Sequence, residues 1–316
     1  VYTVALSDYN RHMTNRQTDQ QELHNKESAV AESAFREIYT RLSHLGVEVA
    51  PRGYKVLECE DFSFLLPKYV RFANFQVRKL NLDYIKAEFL WYLNGDPGNT
   101  RIGKYASTWN PLINPDGTIN SNYGQYIFGQ QDQFAITRQT LRDDKDSRRA
   151  SIVILSQAHL ASDTKDVPCT YSINFRIRDN KLNMSIRMRS QDAIFGFGND
   201  TPCFSLVHEM MYMSLKADYP DLEHGSYHHT ADSFHVYERH FAMFHAITAG
   251  GLSKAKYEHI AIPKISSHAE VEFLRTGDFS HIPDEYEFSK WLTFFENEKY
   301  KDALADLGKP TNMTLF

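Results

Sequence analysis

The side chain best suited to covalent chemistry is Cys169, in the segment VPCTYSINF, where Pro168 restrains the backbone just before it. Most cysteines are small buried hydrophobes, and a thiol becomes a nucleophile only where nearby cations favour the thiolate. Arg148 and Arg149, in DSRRA, are candidate cations if the fold brings them close. With Arg187, Arg189 and Ser190, in RMRS, they also form basic-plus-hydroxyl groupings suited to a phosphate monoester. Solvated surface charge is the commoner meaning of any one of them. Glu88 sits in an apolar stripe near Ile85 and Tyr92. A carboxylate buried there must be paired or shift its pKa upward. It reads either as a structural Glu bonded to an Arg or Tyr, or as a general acid/base. His235 and Tyr237 lie two apart and project to one face of a strand, which suits a sugar hydroxyl or, equally, a structural polar pair. His228, His229, His235 and His240 match no usual zinc spacing, so no metal is expected. In MRSQDAIFGFGND, Asp192 and Asp200 flank what reads as a Gly-Phe-Gly turn. That stretch is not GxGxxG and is not expected to open a helix after a strand, which argues against a dinucleotide site.

Several elements must position these groups. Apolar residues at helical spacing predict a helix over 18–45, stopped by Gly46, and strand-like pieces follow at YKVLEC and FSFLL. NLDYIKAEFLWYLNGD predicts a helix carrying Glu88, with Leu82, Ile85, Phe89 and Tyr92 on one face and Asn94-Gly95 at its end. Residues 95–125 read as loop, and ASIVILS as a short buried strand. YSINFRIR and KLNMSIRM alternate apolar and polar residues around Asp179-Asn180, a β-hairpin. CFSLVHEMMYMSLKAD predicts a helix and SFHVYERH a strand running into a helix, and the chain after 265 is mixed.

The 316 residues are 42% hydrophobic and 24% charged, ordinary globular composition, with no internal repeat or low-complexity linker. A single α/β domain over 1–316 is the expectation. A net charge of -5 gives no electrostatic case for duplex nucleic acid or an anionic membrane. Three scattered cysteines argue against a disulfide framework, and no apolar run approaches the roughly 18 residues of a membrane span. The N-terminus lacks a signal peptide's apolar stretch, so a cytoplasmic location is expected.

Taken in order, EFLWYLNGD, Trp109 in a loop, NYG, DSRRASIVILS, PCT…NFRIRDNKL, RSQD and HVY resemble the thymidylate synthase family across roughly residues 50–245. The resemblance implies a homodimeric α/β (α+β) fold, a mixed β-sheet core with surrounding helices and a sheet face at the dimer interface. It also implies a bacterial or phage-infected bacterial cytosol, a divergent N-terminal helical extension over 1–50 and a divergent C-terminal region over 246–316. Its chemistry would be attack of Cys169 on C6 of a pyrimidine nucleoside monophosphate and one-carbon transfer to C5 from 5,10-methylenetetrahydrofolate. By motif position Arg52, Arg189 and Ser190 would bind the phosphate, joined by Arg148 and Arg149 from the partner subunit. His235 and Tyr237 would hold the sugar, and Tyr123 would support the cysteine and base. Glu88 would organise water and protons, and Trp109 and Asp192 would face the folate.

The departures from that pattern carry information. Asp200, in GFGND, stands where thymidylate synthases read a base-binding Asn in GLPFN. An amide matches the uracil edge, whereas cytosine presents an acceptor at N3 and a donor at its 4-amino group. A carboxyl can accept from that amino group and share a proton with N3. Asp200 therefore points to a cytidylate, dCMP before CMP, as in the phage deoxycytidylate hydroxymethylases that resemble thymidylate synthase. Thr170 replaces the His that commonly follows the nucleophile, and ADSFH stands where GDAH is usual. A changed C-terminal lid would fit capture of the exocyclic intermediate by water, giving a hydroxymethyl product. The alternatives are reductive methylation, by a dCMP C5-methyltransferase or a thymidylate synthase, and, from another class, a non-catalytic nucleotide- or RNA-binding relative. The last would need a missing nucleophile or a disrupted phosphate site, and neither is missing.

Overall fold

The computed structural model describes residues 2–161, 164–276 and 279–309, the side chains of 2–21, 23 and 252 excepted. Helix α1 (Tyr2–Leu45) starts earlier than its apolar spacing predicts. Ala31, Phe35, Ile38, Tyr39 and Leu42 form its buried stripe, at the spacing of one helical face. Gly46 ends it, and a Cβ there would stand 2.7 Å from both Leu42 O and the Leu57 side chain, so only glycine fits the turn into the sheet.

Strands β1 (Val47–Val49) and β2 (Val56–Leu66) follow, the latter joining the two expected pieces into one. Helix α2 (Leu82–Asn94) forms as expected. The Asn81 side chain accepts from Tyr84 N at its start, and Gly95 leaves it at a φ of 69°. The loop-rich stretch holds short helices α3 (Ile102–Tyr105) and α4 (Gly124–Ile127), then α5 (Gln133–Asp143). After β3 (Ser151–Val153) and α6 (Gln157–Ala161) comes the expected hairpin of β4 (Thr170–Arg178) and β5 (Lys181–Met188). Asp179 and Asn180 both take positive φ, 48° and 57°, as a two-residue hairpin turn matched to strand twist requires. Its cross-strand pairs Ile173–Ile186, Phe175–Met184 and Ile177–Leu182 put the apolar alternates on the core face.

β6 (Gln191–Asp192) leads into α7 (Gly196–Lys216), which corrects one expectation: GFGND is the first turn of a helix that follows a short strand. Two glycines and Pro202 give this segment the look of a turn. Local propensity is overridden by burial and by Asp192, whose carboxylate accepts from Ile194 N (3.0 Å) and Phe195 N (3.2 Å) at the entry. α7 is the crossover between β5 and β7 (Glu223–Tyr237), which pair in parallel. β7 starts ten residues before SFHVYERH, because Gly225 and the clustered histidines blur its alternation. Helices α8 (Phe241–Thr248), α9 (His268–Thr276), α10 (Glu287–Thr293) and α11 (Ala303–Leu307) complete the described chain.

The mixed sheet runs β1-β2-β7-β5-β4-β3, with β6 beside β7. α7 lies on its core face, where His208 Nε2 meets Leu182 O at 2.8 Å and its ring lies 6.2 Å from that of Phe175. Among the described residues no helix is long and apolar enough to cross a membrane.

Candidate active site

α2 is buried on every side from Asp83 to Asn94, so Glu88 reaches the interior without being an error of patterning. It is 3% exposed, and its Oε2 has no hydrogen-bond partner among the described residues. Burial pushes its carboxyl up to about 8; the charge of Asp200 adds to the rise, and a hydrogen bond from Tyr84, one turn earlier, opposes it. Tyr84 in turn accepts from Trp109 Nε1 at 2.9 Å, so the indole is tied to the acid through one phenol. Such a carboxyl is ready to give or take a proton near neutrality.

Cys169 lies directly before β4 and is half-buried. Arg189, just past the end of β5, wraps it: Nε donates to Pro168 O (3.0 Å) and Nη2 to Val167 O (2.7 Å) and to Cys169 Sγ (3.5 Å). Burial raises the thiol pKa, while Arg189 and then Arg52 pull it down. Arg52 is held at a φ of 54° in the loop before β2, a left-handed conformation unusual outside glycine. Arg148 and Arg149 are exposed between α5 and β3 and do not bear on Cys169 within this chain; Arg189 and Arg52 supply its positive setting instead. Tyr123, at the start of α4, stacks on Phe204 (5.8 Å between centroids, 12° between planes). Its hydroxyl borders Thr170 and Cys169.

At the head of α7, Asp200 completes the cluster. Burial pushes its carboxyl up to about 7, a hydrogen bond from Gln191 opposes the rise, and Asp192 adds to it. Gln191 Nε2 donates to Asp200 Oδ2 at 2.9 Å. Cys203, one turn further, is fully buried; that burial raises its thiol pKa, and the charges of Glu88 and Asp200 add to the rise. Glu88, Asp200, Tyr123 and Cys169 thus converge from α2, α7, α4 and the start of β4.

His235 and Tyr237 share a face of β7, their rings 5.1 Å apart and edge-on, as the alternation requires. Ser233 Oγ donates to Glu58, so it must accept from His235 Nδ1, 3.1 Å away. That choice leaves Nε2 as an acceptor, and burial lowers the imidazole pKa, keeping it neutral. Asp192 lies opposite His235 in the β6–β7 register. Ser190 has no hydrogen-bond partner among the described residues. The expected closing tail includes 310–316, which lie outside the described residues.

Sequence reasoning missed Tyr84, Gln191 and Cys203. Tyr84 could have been found from its i−4 spacing to Glu88. Gln191 and Cys203 become visible only once GFGND is known to be helical.

A mixed sheet with a crossover helix, a cysteine wrapped by arginine and two acids of raised pKa make a site suited to covalent and proton-transfer chemistry. The family model described as thymidylate synthase matches residues 58–282, and the chain belongs to that family. The match runs past the motif-bearing stretch and through α9. Deoxycytidylate 5-hydroxymethyltransferase of Enterobacteria phage T6 is 30% identical over 217 residues, 63% of this chain and 86% of the phage protein. The phage T4 protein of the same name shows the same identity and coverage. Deoxyuridylate hydroxymethyltransferase of Bacillus phage SP01 is 28% identical over 219 residues, 64% of this chain and 56% of that protein. Family and relatives together support one-carbon transfer to C5 of a pyrimidine nucleotide.

Proposed function

We propose that the chain hydroxymethylates C5 of a cytidine 5′-monophosphate, dCMP before CMP, using 5,10-methylenetetrahydrofolate. The observation that carries this reading is Asp200, a carboxyl at the head of α7 where the motif it resembles carries a base-reading amide, placed so that its charge bears on both Glu88 and Cys169. Cys169, as thiolate, adds to C6 and pushes electron density toward C5 and N3. Asp200, its carboxyl raised toward neutrality by burial, donates to N3 in its protonated form and accepts from the 4-amino group, stabilising the charge that develops. Glu88 holds protons at the ring edge, orients water and takes up the C5 proton before the C6–S bond breaks. Against uracil, an ionised Asp200 would set acceptor against O4, a repulsion that a dry site does not relieve.

Arg189 and Arg52 bind the phosphate with Ser190, and His235 Nε2 and Tyr237 hold the sugar. The reading includes a homodimer in which the partner's Arg148 and the partner's Arg149 complete the phosphate site. Both side chains are exposed and have no partner among the described residues, and Leu65 and Val153 leave apolar side chains on the outer sheet face, which supports that arrangement. The residues present also suit a flat folate ring. Trp109 is fixed by Tyr84, Phe195 is 39% exposed at the entry to α7, Asp192 holds that entry, and Glu88 Oε2 lacks a partner among the described residues. When bound, the folate supplies the one-carbon unit.

A rival substrate, dUMP, is supported by the SP01 relative, a deoxyuridylate hydroxymethyltransferase. Incubating the chain with methylenetetrahydrofolate and C5-tritiated dCMP, CMP or dUMP decides between them. The expected result is tritium release from dCMP without a rise in dihydrofolate absorbance. A strong dihydrofolate signal would indicate reductive methylation instead, and turnover of dUMP alone would overturn the cytidylate reading.

A further inference from the structure

Gln191 sits on β6, 2% exposed, with its amide nitrogen on Asp200 Oδ2 and its own Oε1 buried without a partner among the described residues. An apolar residue of the same size would avoid that unsatisfied oxygen. Gly196 provides the room, since a Cβ there would stand 2.8 Å from Gln191 Nε2. We propose that Gln191 is the positioning residue for base selectivity: by donating to Oδ2 of Asp200 it commits that oxygen as an acceptor and leaves Oδ1 to carry the acid's proton.

The inference rests on the cytidylate reading and deepens it. A carboxylic acid presents one donor and one acceptor. Cytosine offers an amino donor and an N3 acceptor, and uracil offers the same pair reversed. An acid free to protonate on either oxygen satisfies both bases, whereas an acid held in one form satisfies one. Protonation alone therefore does not separate cytosine from uracil, and a fixed donor order does. With Oδ1 set toward N3 and Oδ2 toward the 4-position, the Gln191 N–H makes the uracil order costly, because a proton on Oδ2 would face another donor.

The test compares kcat/KM for dCMP and dUMP in the full chain and two variants, with thermal melting as the check on folding. Gln191→Met keeps the size and removes the donor. Gly196→Ala keeps Gln191 and crowds its amide away. In both, the dCMP-to-dUMP ratio falls on the order of tenfold, by more than kcat/KM for dCMP itself, because the wrong base gains a match. A general loosening of the site would lower both substrates together. A native chain that prefers dCMP, with folded variants whose ratio stays within about twofold of it, would overturn the inference. A native chain that prefers dUMP overturns the cytidylate reading instead. The same variants then still test the pinning, as a fall in the dUMP preference.

Discussion

Glu270 on α9 and Glu88 on α2 are both buried carboxylates, and their surroundings treat them in opposite ways. Glu270 accepts from Ser266 N and Oγ (both 2.7 Å) and from Ser289 N and Oγ (both 3.0 Å), tying α9 to α10. Glu209 on α7 is likewise saturated, by Arg71 Nη2 (2.8 Å) and Ile265 N (2.9 Å). In the candidate site, Glu88 keeps an oxygen unpartnered among the described residues, and Asp200 takes a single side-chain donor. The scaffold thus spends its donors on holding helices together, and the site withholds them. An under-satisfied acid costs stability and retains a proton near neutrality, which is the property a proton-moving group needs.

The contrast breaks most visibly in paired substitutions. Glu88→Gln should cut kcat by roughly 10²–10⁴-fold while leaving stability equal or higher, read by steady-state kinetics and urea melting. Glu270→Ala should do the reverse, costing about 3–5 kcal/mol by orphaning buried donors, with kcat of the folded fraction little changed. If Glu88→Gln destabilised as much as Glu270→Ala, the two regions would not differ in kind.

The pH dependence of stability sharpens the comparison. Glu88 rises from 4.5 to about 8 and Asp200 from 3.8 to about 7 on folding, so the folded state binds more protons across those windows. Their contribution is fully present below the ordinary values and is lost as pH rises through the folded ones. Unfolding free energies from urea melts should therefore fall between pH 5 and 7, by up to about 1.4 kcal/mol per pH unit for each group. Glu88→Gln should flatten that slope. The smallest effect is expected of Tyr84→Phe, which removes the hydroxyl between Trp109 and Glu88. The Glu88 carboxyl should rise further and move the pH–rate profile upward, with a loss in kcat of roughly tenfold or less.

How much of this was legible in the sequence follows from how local each signal is. The β4–β5 hairpin was readable because alternation and a two-residue Asp-Asn turn sit side by side. α2 was readable from its stripe, and Glu88 stood out as the one acid within it. The start of α7 was not, since glycine and proline dominate propensity while the compensation comes from Asp192 and burial. β7 was read short because its core-facing positions include His229 as well as apolar residues. The cation beside Cys169 was open between sequence neighbourhoods. Only the packing of the β5 end against the β4 start makes it Arg189 rather than the DSRRA pair. Asp200 was legible as a departure from a motif, but its neighbour Gln191 was not, because their contact depends on a strand-to-helix turn.

Base preference of Asp200→Asn against the native chain, measured as kcat/KM on dCMP and dUMP side by side, tests the cytidylate reading most directly. An amide there should reverse the preference, moving the dCMP-to-dUMP ratio by about two orders of magnitude toward dUMP. An unchanged ratio in a folded variant that still turns over would contradict the reading and remove Asp200 from base recognition.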